Sequence, residues 1–174
     1  MELGVVYAVQ PQPPDPNDTH WFEVGAVSFG VEYRSVDPDS LAATYGDDPK
    51  AMAEIIANSP DGGFFDTGVS IHVCGTDDGH EYLRFDCFDA DPHYHYVAPS
   101  GDRNHVVPYD AAAHGDVLTW AVDRCRTRLR EMLIQAGGAH VADKLDSAAI
   151  GPVLDVVAAL ATKAREDQRS LGRG

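Results

Sequence analysis

Apolar and polar residues alternate along the first part of the chain with the period of two that is typical of half-buried β-strands. We interpret residues 3–9 as a short strand and residues 21–33 as one long strand with a bend at Gly25 or Gly30. Three further strands, joined by turns, are predicted at residues 67–75, 80–88 and 93–97. The early chain is therefore mostly β structure.

Helices are predicted between the strands, within residues 37–58, and after the last predicted strand. Asp37-Pro38 and Asp48-Pro49 each place a capping acid before a proline, so residues 37–58 are expected to form two short helices. After Tyr109 the apolar period becomes helical, and one helix is predicted from its N-cap at Asp116 to a stop at residues 137–138. Its apolar positions are Leu118, Ala121, Val122, Cys125, Leu129, Met132, Leu133 and Ala136.

The remainder of the chain completes the predicted fold. A short helix is expected around residues 141–145, and a last helix is expected to open at Pro152 and to end near Gln168. Strands first and helices last predict an α+β fold, in which an antiparallel β-sheet of hairpin or meander type packs against C-terminal α-helices. We expect a single domain over residues 1–168 and a disordered tail over residues 169–174.

The turn Asp77-Asp78-Gly79 predicts the register of the central hairpin, because glycine suits the last position of a three-residue loop. The resulting pairs place only apolar side chains on one face, namely Val73 with Leu83, Ile71 with Phe85 and Val69 with Cys87. The opposite face pairs Cys74 with Tyr82, His72 with Arg84 and Ser70 with Asp86. The first face is predicted to be buried against the helices.

The turn at residues 89–92 decides whether a polar cluster forms. With an even number of loop residues, Asp86 is expected opposite His95 and Arg84 opposite Val97. One sheet face then carries His72, Tyr82, Arg84, Asp86, His93 and His95. An odd number would move both histidines of the third strand to the core side, since a slip of one residue reverses every side chain.

The cluster has three interpretations. His93, His95 and Asp86, with His72 nearby, are the parts of a site for a divalent metal, although the fixed charge of Arg84 opposes a second cation. Without a metal, His72, Tyr82 and Arg84 would bind an anionic ligand, and Asp86 would orient His95 as a catalytic general base. In the third interpretation, these residues only satisfy one another beneath the C-terminal helices.

The net charge of the chain disfavours two classes of binding partner. The chain has a formal charge of −15, and residues 1–100 hold 18 acidic residues against Arg34, Lys50 and Arg84. Such a field argues against nucleic acid and membrane surfaces. Four arginines on the predicted long helix are expected to pair with the acidic sheet layer, which would make the uneven charge distribution an internal interface. They are Arg124, Arg126, Arg128 and Arg130.

The cellular location is predicted from two features. The three cysteines, Cys74, Cys87 and Cys125, form no CxxC pair, and the N-terminus lacks the basic region of a signal peptide. We therefore expect a cytoplasmic protein with reduced thiols. The function hypothesis is a site that binds a small anionic molecule or a divalent metal and could be catalytic, although no spacing selects a reaction. The alternative is a non-catalytic homodimer with an interaction or structural role.

One resemblance supports the grouping of these motifs. The run EYLRFDCFDADPHYHY, followed by a helix with RCRTRLREML, resembles an uncharacterised bacterial family that shares the LRFDCF strand and the PHYHY segment. The resemblance covers about residues 66–136. It implies a domain of unknown function and carries no activity, cofactor or catalytic residue.

Overall fold

The computed structural model describes residues 3–172. It contains a seven-stranded antiparallel sheet and seven helices within that range, which confirms the predicted α+β fold. The strands are β1 Val5–Tyr7, β2 His20–Val24, β3 Val27–Val36, β4 Asp66–Gly75, β5 Glu81–Phe88, β6 His93–Val97 and β7 Asn104–Pro108. The helices are α1 Pro38–Tyr45, α2 Pro49–Asn58, α3 Ala111–His114, α4 Val117–Thr127, α5 Leu129–Gln135, α6 Ala139–Ala142 and α7 Ser147–Leu171.

The sheet order is β1-β7-β6-β5-β4-β3-β2, so strands β2 to β7 form a meander and β1 returns to the far edge beside β7. The prediction of one strand over residues 21–33 was wrong. Gly25 has φ +57°, a left-handed conformation that allows a tight turn, and Val24 pairs with Val27 in a β2–β3 hairpin. Strand β7 was not predicted, although it completes the polar face.

The two short helices α1 and α2 form where the Asp-Pro pairs predict them. The Asp37 side chain accepts a hydrogen bond from the Ser40 N–H, and Asp48 accepts from the N–H groups of Lys50 and Ala51. These caps satisfy donors that the first helical turn leaves free. Both helices lie between β3 and β4 in the chain, where they can cover one sheet face.

The long helices differ from the prediction at two points. Asp116 is the N-cap as expected, but the helix breaks at Arg128, which has φ −135° and ψ 8°. The Thr127 hydroxyl donates to the Asp123 carbonyl oxygen at 2.8 Å, a bond that competes with the helical backbone and is common at bends. Two helices, α4 and α5, therefore replace the single one.

The last helix begins earlier than predicted. Asp146 caps it by accepting a hydrogen bond from the Ala149 N–H at 3.1 Å, so α7 starts at Ser147 and Pro152 lies inside it. The helix continues to Leu171, into the segment predicted as a tail, and residues 173 and 174 lie outside the described range.

One sheet face packs against the C-terminal helices and forms the core. Val27, Phe29, Val69, Ile71, Leu83 and Phe85 are almost fully buried there with residues of α4, α5 and α7. By length and composition α7 could cross a membrane, yet its Ile150, Leu154 and Val157 are buried in this core. These residues form one buried stripe of an amphipathic helix, and the rest of its surface lies outside the core.

The ion pairs of the four arginines in α4, in α5 and at the break between them do not reach the sheet. Their carboxylate neighbours are Asp123, Asp155, Glu131 and Asp143, all from the helical part of the chain. The predicted interface between an acidic sheet and an arginine-edged helix is therefore wrong. The acidic residues of the sheet layer are either exposed or used on its other face.

The polar sheet face is covered by the N-terminal segment 8–19 and by α1 and α2, not by the C-terminal helices. The Gln12 carbonyl oxygen accepts from Arg84 Nη2, and the Val9 carbonyl oxygen accepts from Asn104 Nδ2. The Tyr45 hydroxyl on α1 donates to the Gln10 carbonyl oxygen at 2.6 Å. This cover encloses the predicted cluster on the side opposite to the core.

Candidate functional site

The β4–β5 ladder has the predicted register over most of its length. His72 pairs with Arg84 and Ser70 pairs with Asp86, as the turn chemistry indicates. The pairing of Cys74 with Tyr82 was wrong, because a β-bulge after Val73 places Glu81 opposite Cys74. The bulge brings an acidic side chain onto the polar face in place of the tyrosine.

Tyr82 therefore does not belong to the cluster. It is 1% exposed within the hydrophobic core, and an added Cβ on Gly138 would lie 2.9 Å from its ring. Its hydroxyl donates to Asp78 Oδ2 at 2.6 Å, and burial together with Asp78 raises the pKa of Tyr82. A ligand-binding role for Tyr82 on the polar face is not supported by this position.

The β5–β6 ladder differs from the prediction by two residues. Arg84 pairs with His95 and Asp86 with His93, whereas Arg84 was expected opposite Val97 and Asp86 opposite His95. Six residues, 87–92, lie between the last paired residues instead of the predicted four, and because the difference is even the faces are unchanged. Both histidines lie on the polar face with Asp86, as predicted.

Two of the predicted residues, His93 and His95, converge on one carboxylate oxygen of a third, Asp86. His95 Nε2 lies 3.0 Å and His93 Nε2 lies 3.3 Å from Asp86 Oδ2. One ligand atom from each of the three residues lies within 4.8 Å of the others. Asp86 is 4% and His95 6% exposed, so the group is enclosed between the sheet and its cover.

The other atoms of these three side chains are held by neighbours. His93 Nδ1 lies 2.7 Å from the Asp91 carbonyl oxygen, and His95 Nδ1 lies 2.8 Å from Asn104 Oδ1. The Ser70 hydroxyl donates to Asp86 Oδ1. These contacts on the far side of each side chain fix the orientation of both Nε2 atoms and of Asp86 Oδ2.

The surroundings of the two histidines shift their pKa values in opposite directions. Burial opposes ionisation of Asp86, but hydrogen bonds from His93 and His95 outweigh it and hold the pKa of Asp86 well below its usual range. Burial also opposes charge on His93, yet Asp86 raises the pKa of His93. For His95, burial prevails over Asp86 and the pKa is lowered, with the charges of His93 and Arg84 adding to the effect.

His72 lies in a neighbouring network and not in the group around Asp86. Its Nε2 is 2.8 Å from Glu32 Oε2, its Nδ1 is 2.5 Å from Glu81 Oε1, and the ring is fully buried. Each ring nitrogen of His72 therefore faces a carboxylate oxygen, and the ring is held between two acids. His72 is therefore neither free to bind a metal nor exposed to a ligand.

Arg84 is paired with Glu81 in the same network. Its Nε donates to Glu81 Oε1 at 2.8 Å and its Nη2 to Glu81 Oε2 at 2.7 Å, a bidentate contact. Burial disfavours the charge of Arg84, but Glu81 outweighs it and raises the pKa of Arg84. Glu81 thus compensates the cation that the sequence placed beside the histidines.

Asp86, His93 and His95 line a cavity of about 730 Å³. Arg34, Arg84 and Asn104 line the same cavity, together with side chains of the N-terminal segment, α1, α2 and residues 59–66. A volume of this size accommodates a small organic molecule. The converging atoms are thus next to a space that a ligand can enter.

Several residues of the site were not predicted. Glu32 and Arg34 share the parity of Gly30 on β3, but the treatment of residues 21–33 as one strand gave no register with β4. Glu81 was not predicted because the alternation of apolar and polar residues does not reveal the bulge that places Glu81 on the polar face. Asn104 lies on β7, where its parity with Val106 in the run NHVVP could have indicated the strand.

Fold and site together define the class: a small α+β protein with a buried His and Asp cluster on an enclosed face of an antiparallel sheet. The chain belongs to the family described as Domain of unknown function (DUF7700), whose model matches residues 21–161. This match confirms that the family is one of unknown function. No curated protein and no solved structure gives a significant match to the chain.

Proposed function

We propose that the protein binds one divalent transition-metal ion through His93 Nε2, His95 Nε2 and a carboxylate oxygen of Asp86, with open coordination positions for a small molecule. The observation that carries the proposal is the convergence of both Nε2 atoms on Asp86 Oδ2, at 3.3 and 3.0 Å. Two histidines and one carboxylate form a common ligand set for such ions.

The hydrogen-bond inventory supports a cation between these atoms. The acceptors behind the rings, the Asp91 carbonyl oxygen and Asn104 Oδ1, indicate that Nδ1 of each histidine is a donor. Each Nε2 then needs a second proton to donate to Asp86, and a divalent ion between the three atoms would take the place of these protons. A divalent ion gives all three atoms an attractive partner.

The distances fit metal coordination. Two ligand atoms that each lie about 2.1 Å from an ion are about 3.0 Å apart at a right angle and about 3.4 Å apart at a tetrahedral angle. The two observed nitrogen to oxygen distances, 3.0 and 3.3 Å, lie in this interval. Small side-chain movements would complete the site, since the ligands stand on adjacent strands.

The outer contacts also fit a metal centre. Histidines that bind metals usually donate their second ring N–H to a carbonyl or carboxylate oxygen, as His93 and His95 do here. The expected obstacle, the Arg84 charge, is compensated by the bidentate contact with Glu81. The metal-free interpretation, with His95 as a general base, needs a free Nε2, whereas a metal ion would replace the proton between Nε2 and Asp86 and keep both residues as partners.

Isothermal titration of the untagged protein with Zn²⁺ tests the proposal. We expect one Zn²⁺ per chain for the wild type, and a loss of affinity of more than about 100-fold for His95→Ala and for Asp86→Ala, which remove ligands. His20→Ala, which removes an exposed histidine at the distant β2 edge, is the matched control and should bind like the wild type. Equal Zn²⁺ affinity in all four proteins would contradict the proposal.

Cellular location, origin and oligomeric state are also part of the proposal. We propose a cytoplasmic location, supported by the free and buried state of Cys74, Cys87 and Cys125. A bacterial origin and the LRFDCF and PHYHY segments as a family signature remain predictions. Homodimerisation also remains a prediction, and light scattering at low and high salt would measure it.

A further inference from the structure

The cavity beside the triad has a polar part and an apolar part. Asp86, His93, His95 and Arg34 belong to its polar part, on the sheet. The apolar part is formed by Val36, Leu41, Ile55, Phe64, Phe65 and Phe88. A ligand that fills this cavity therefore needs a polar group at one end and an apolar body at the other.

Two side chains of the cavity carry buried donors without a hydrogen-bond partner among residues 3–172. They are Nη1 of Arg34 and Nε2 of Gln10. Arg34 is 8% exposed, its Nη2 donates to Gln12 Oε1 at 3.1 Å, and its Nε lies 3.6 Å from Glu32 Oε1. A buried donor that lacks a partner is costly, which indicates that an acceptor from a ligand completes it.

The charges near the site favour an anion once a metal ion is bound. Near the metal ligands, the fixed charges of Arg34 and Arg84 are already paired with the carboxylates of Glu32 and Glu81. A divalent ion bound by the Asp86 carboxylate would therefore leave this buried group with a net positive charge. Burial of uncompensated charge is unfavourable, so the ligand of the metal-loaded protein should be negative.

Two further acids line the cavity and do not remove this excess. The Asp66 carboxylate accepts hydrogen bonds from the N–H groups of Ala90 and Asp91, which hold the β5–β6 turn. The Asp91 side chain is exposed, and water screens its charge. The charges that act on the pKa of Arg34 are those of Arg84, Asp86, Glu32 and Glu81.

We infer that the cavity binds a small organic carboxylate with an apolar body, whose carboxylate lies between the metal ion and the Arg34 guanidinium. The inference rests on the proposed metal site. Arg34 offers the planar donor geometry that carboxylates match, with Nη1 still available. The apolar body lies against α1, α2 and residues 63–65, which sets the preference for aromatic or branched aliphatic acids over acetate.

The test titrates the full-length, Zn²⁺-loaded protein with phenylacetate, and with phenylacetamide as the uncharged analogue of similar shape. We expect phenylacetate to bind, and the amide to bind at least about 10-fold more weakly. Arg34→Met should weaken phenylacetate binding by about 10- to 100-fold. Arg34→Lys, which keeps the charge but loses the planar donors, should lie between the wild type and Arg34→Met.

A second pair of variants keeps the test decisive if Arg34→Met does not fold. Leu41→Trp fills the apolar end of the cavity and should abolish phenylacetate binding, while Zn²⁺ affinity stays within about twofold. Val156→Trp enlarges an exposed residue on the opposite face of the molecule and should change neither affinity.

Three results would overturn the inference: no phenylacetate binding by the Zn²⁺-loaded protein, equal binding of the amide, or full phenylacetate affinity in Leu41→Trp. Equal phenylacetate affinity with and without Zn²⁺ would also overturn it, because the carboxylate would then not contact the metal. Failure of Zn²⁺ itself to bind is a separate result, and it would contradict the proposed function.

Discussion

His95 Nδ1 lies 2.8 Å from Asn104 Oδ1, on the side of the ring opposite to Asp86. Asn104 is held in turn, since its Nδ2 donates to the Val9 carbonyl oxygen at 3.3 Å. The amide is therefore oriented with its oxygen toward the histidine. Through this contact, β7 and the N-terminal segment set the direction of His95 Nε2.

Asn104→Ala should weaken Zn²⁺ binding by about 10- to 100-fold, because the residues that orient metal-bound histidines usually contribute that much. Asn104→Asp preserves an acceptor at the same place and should retain most of the affinity. Isothermal titration of both variants measures the effect. If Asn104→Ala bound Zn²⁺ as tightly as the wild type, Asn104 would have no orienting role.

Metal binding should stabilise the fold. A ligand that binds only the native state adds about 2.7 kcal/mol to the free energy of unfolding at 100 times its Kd. We expect Zn²⁺ to raise the melting temperature of the wild type, EDTA to reverse the increase, and His95→Ala to show no increase. An equal increase in His95→Ala would mean that Zn²⁺ acts at another place.

Glu81 should stabilise the protein at neutral pH and less so in acid. Burial opposes its ionisation, but Arg84 and His72 outweigh it and hold the pKa of Glu81 well below its ordinary value of 4.5. A lowered folded-state pKa gives stability that is present above pH 4.5 and is lost as the pH falls below it. Glu81→Gln should therefore cost roughly 3 kcal/mol at pH 7, because it leaves buried cations uncompensated.

Urea unfolding at pH 7 and at successively lower pH measures this effect. The difference in unfolding free energy between wild type and Glu81→Gln should shrink as the pH falls below 4.5. Glu23→Gln, at an exposed position of β2, is the control and should stay within about 0.5 kcal/mol of the wild type. A Glu81→Gln difference that does not vary with pH would contradict the assigned ionisation.

Two glycines should differ in how much stability the protein loses when each is replaced by alanine. A Cβ at Gly68 would lie 2.5 Å from the Cys87 carbonyl oxygen and 2.7 Å from Phe88 Cα, so Gly68→Ala should destabilise the sheet by about 1–3 kcal/mol. A Cβ at Gly151 in α7 would have no heavy atom of the structure within 4 Å. Gly151 precedes Pro152, whose ring opposes a Cβ on a helical residue before it, so the gain in helix propensity is offset and Gly151→Ala should stay within about 0.5 kcal/mol of the wild type. Thermal unfolding of both variants checks the pair.

Much of the site follows from turn chemistry and alternation. The glycine turn after Asp78 and the apolar parity of Val69, Ile71 and Val73 were sufficient to pair His72 with Arg84 and Ser70 with Asp86. The error of two residues in the β5–β6 register left His93 and His95 on the polar face, because an even shift does not change the face of a side chain.

The parts that the sequence did not reveal depend on irregular geometry or on distant segments. Tyr82 was misplaced by a bulge that has no signature in the alternation. Glu32 and Asn104 reach the site from β3 and β7, far from the central hairpin in sequence. The cover formed by residues 8–19 has no regular structure, so periodicity could not predict that it encloses the polar face.

Anomalous X-ray diffraction from crystals of the untagged protein grown with Zn²⁺ tests the central claim most directly. Data from both sides of the zinc absorption edge should show one strong difference peak, about 2.0–2.2 Å from His93 Nε2, from His95 Nε2 and from a carboxylate oxygen of Asp86. At saturating Zn²⁺, the absence of a peak within bonding distance of these three atoms would contradict the account.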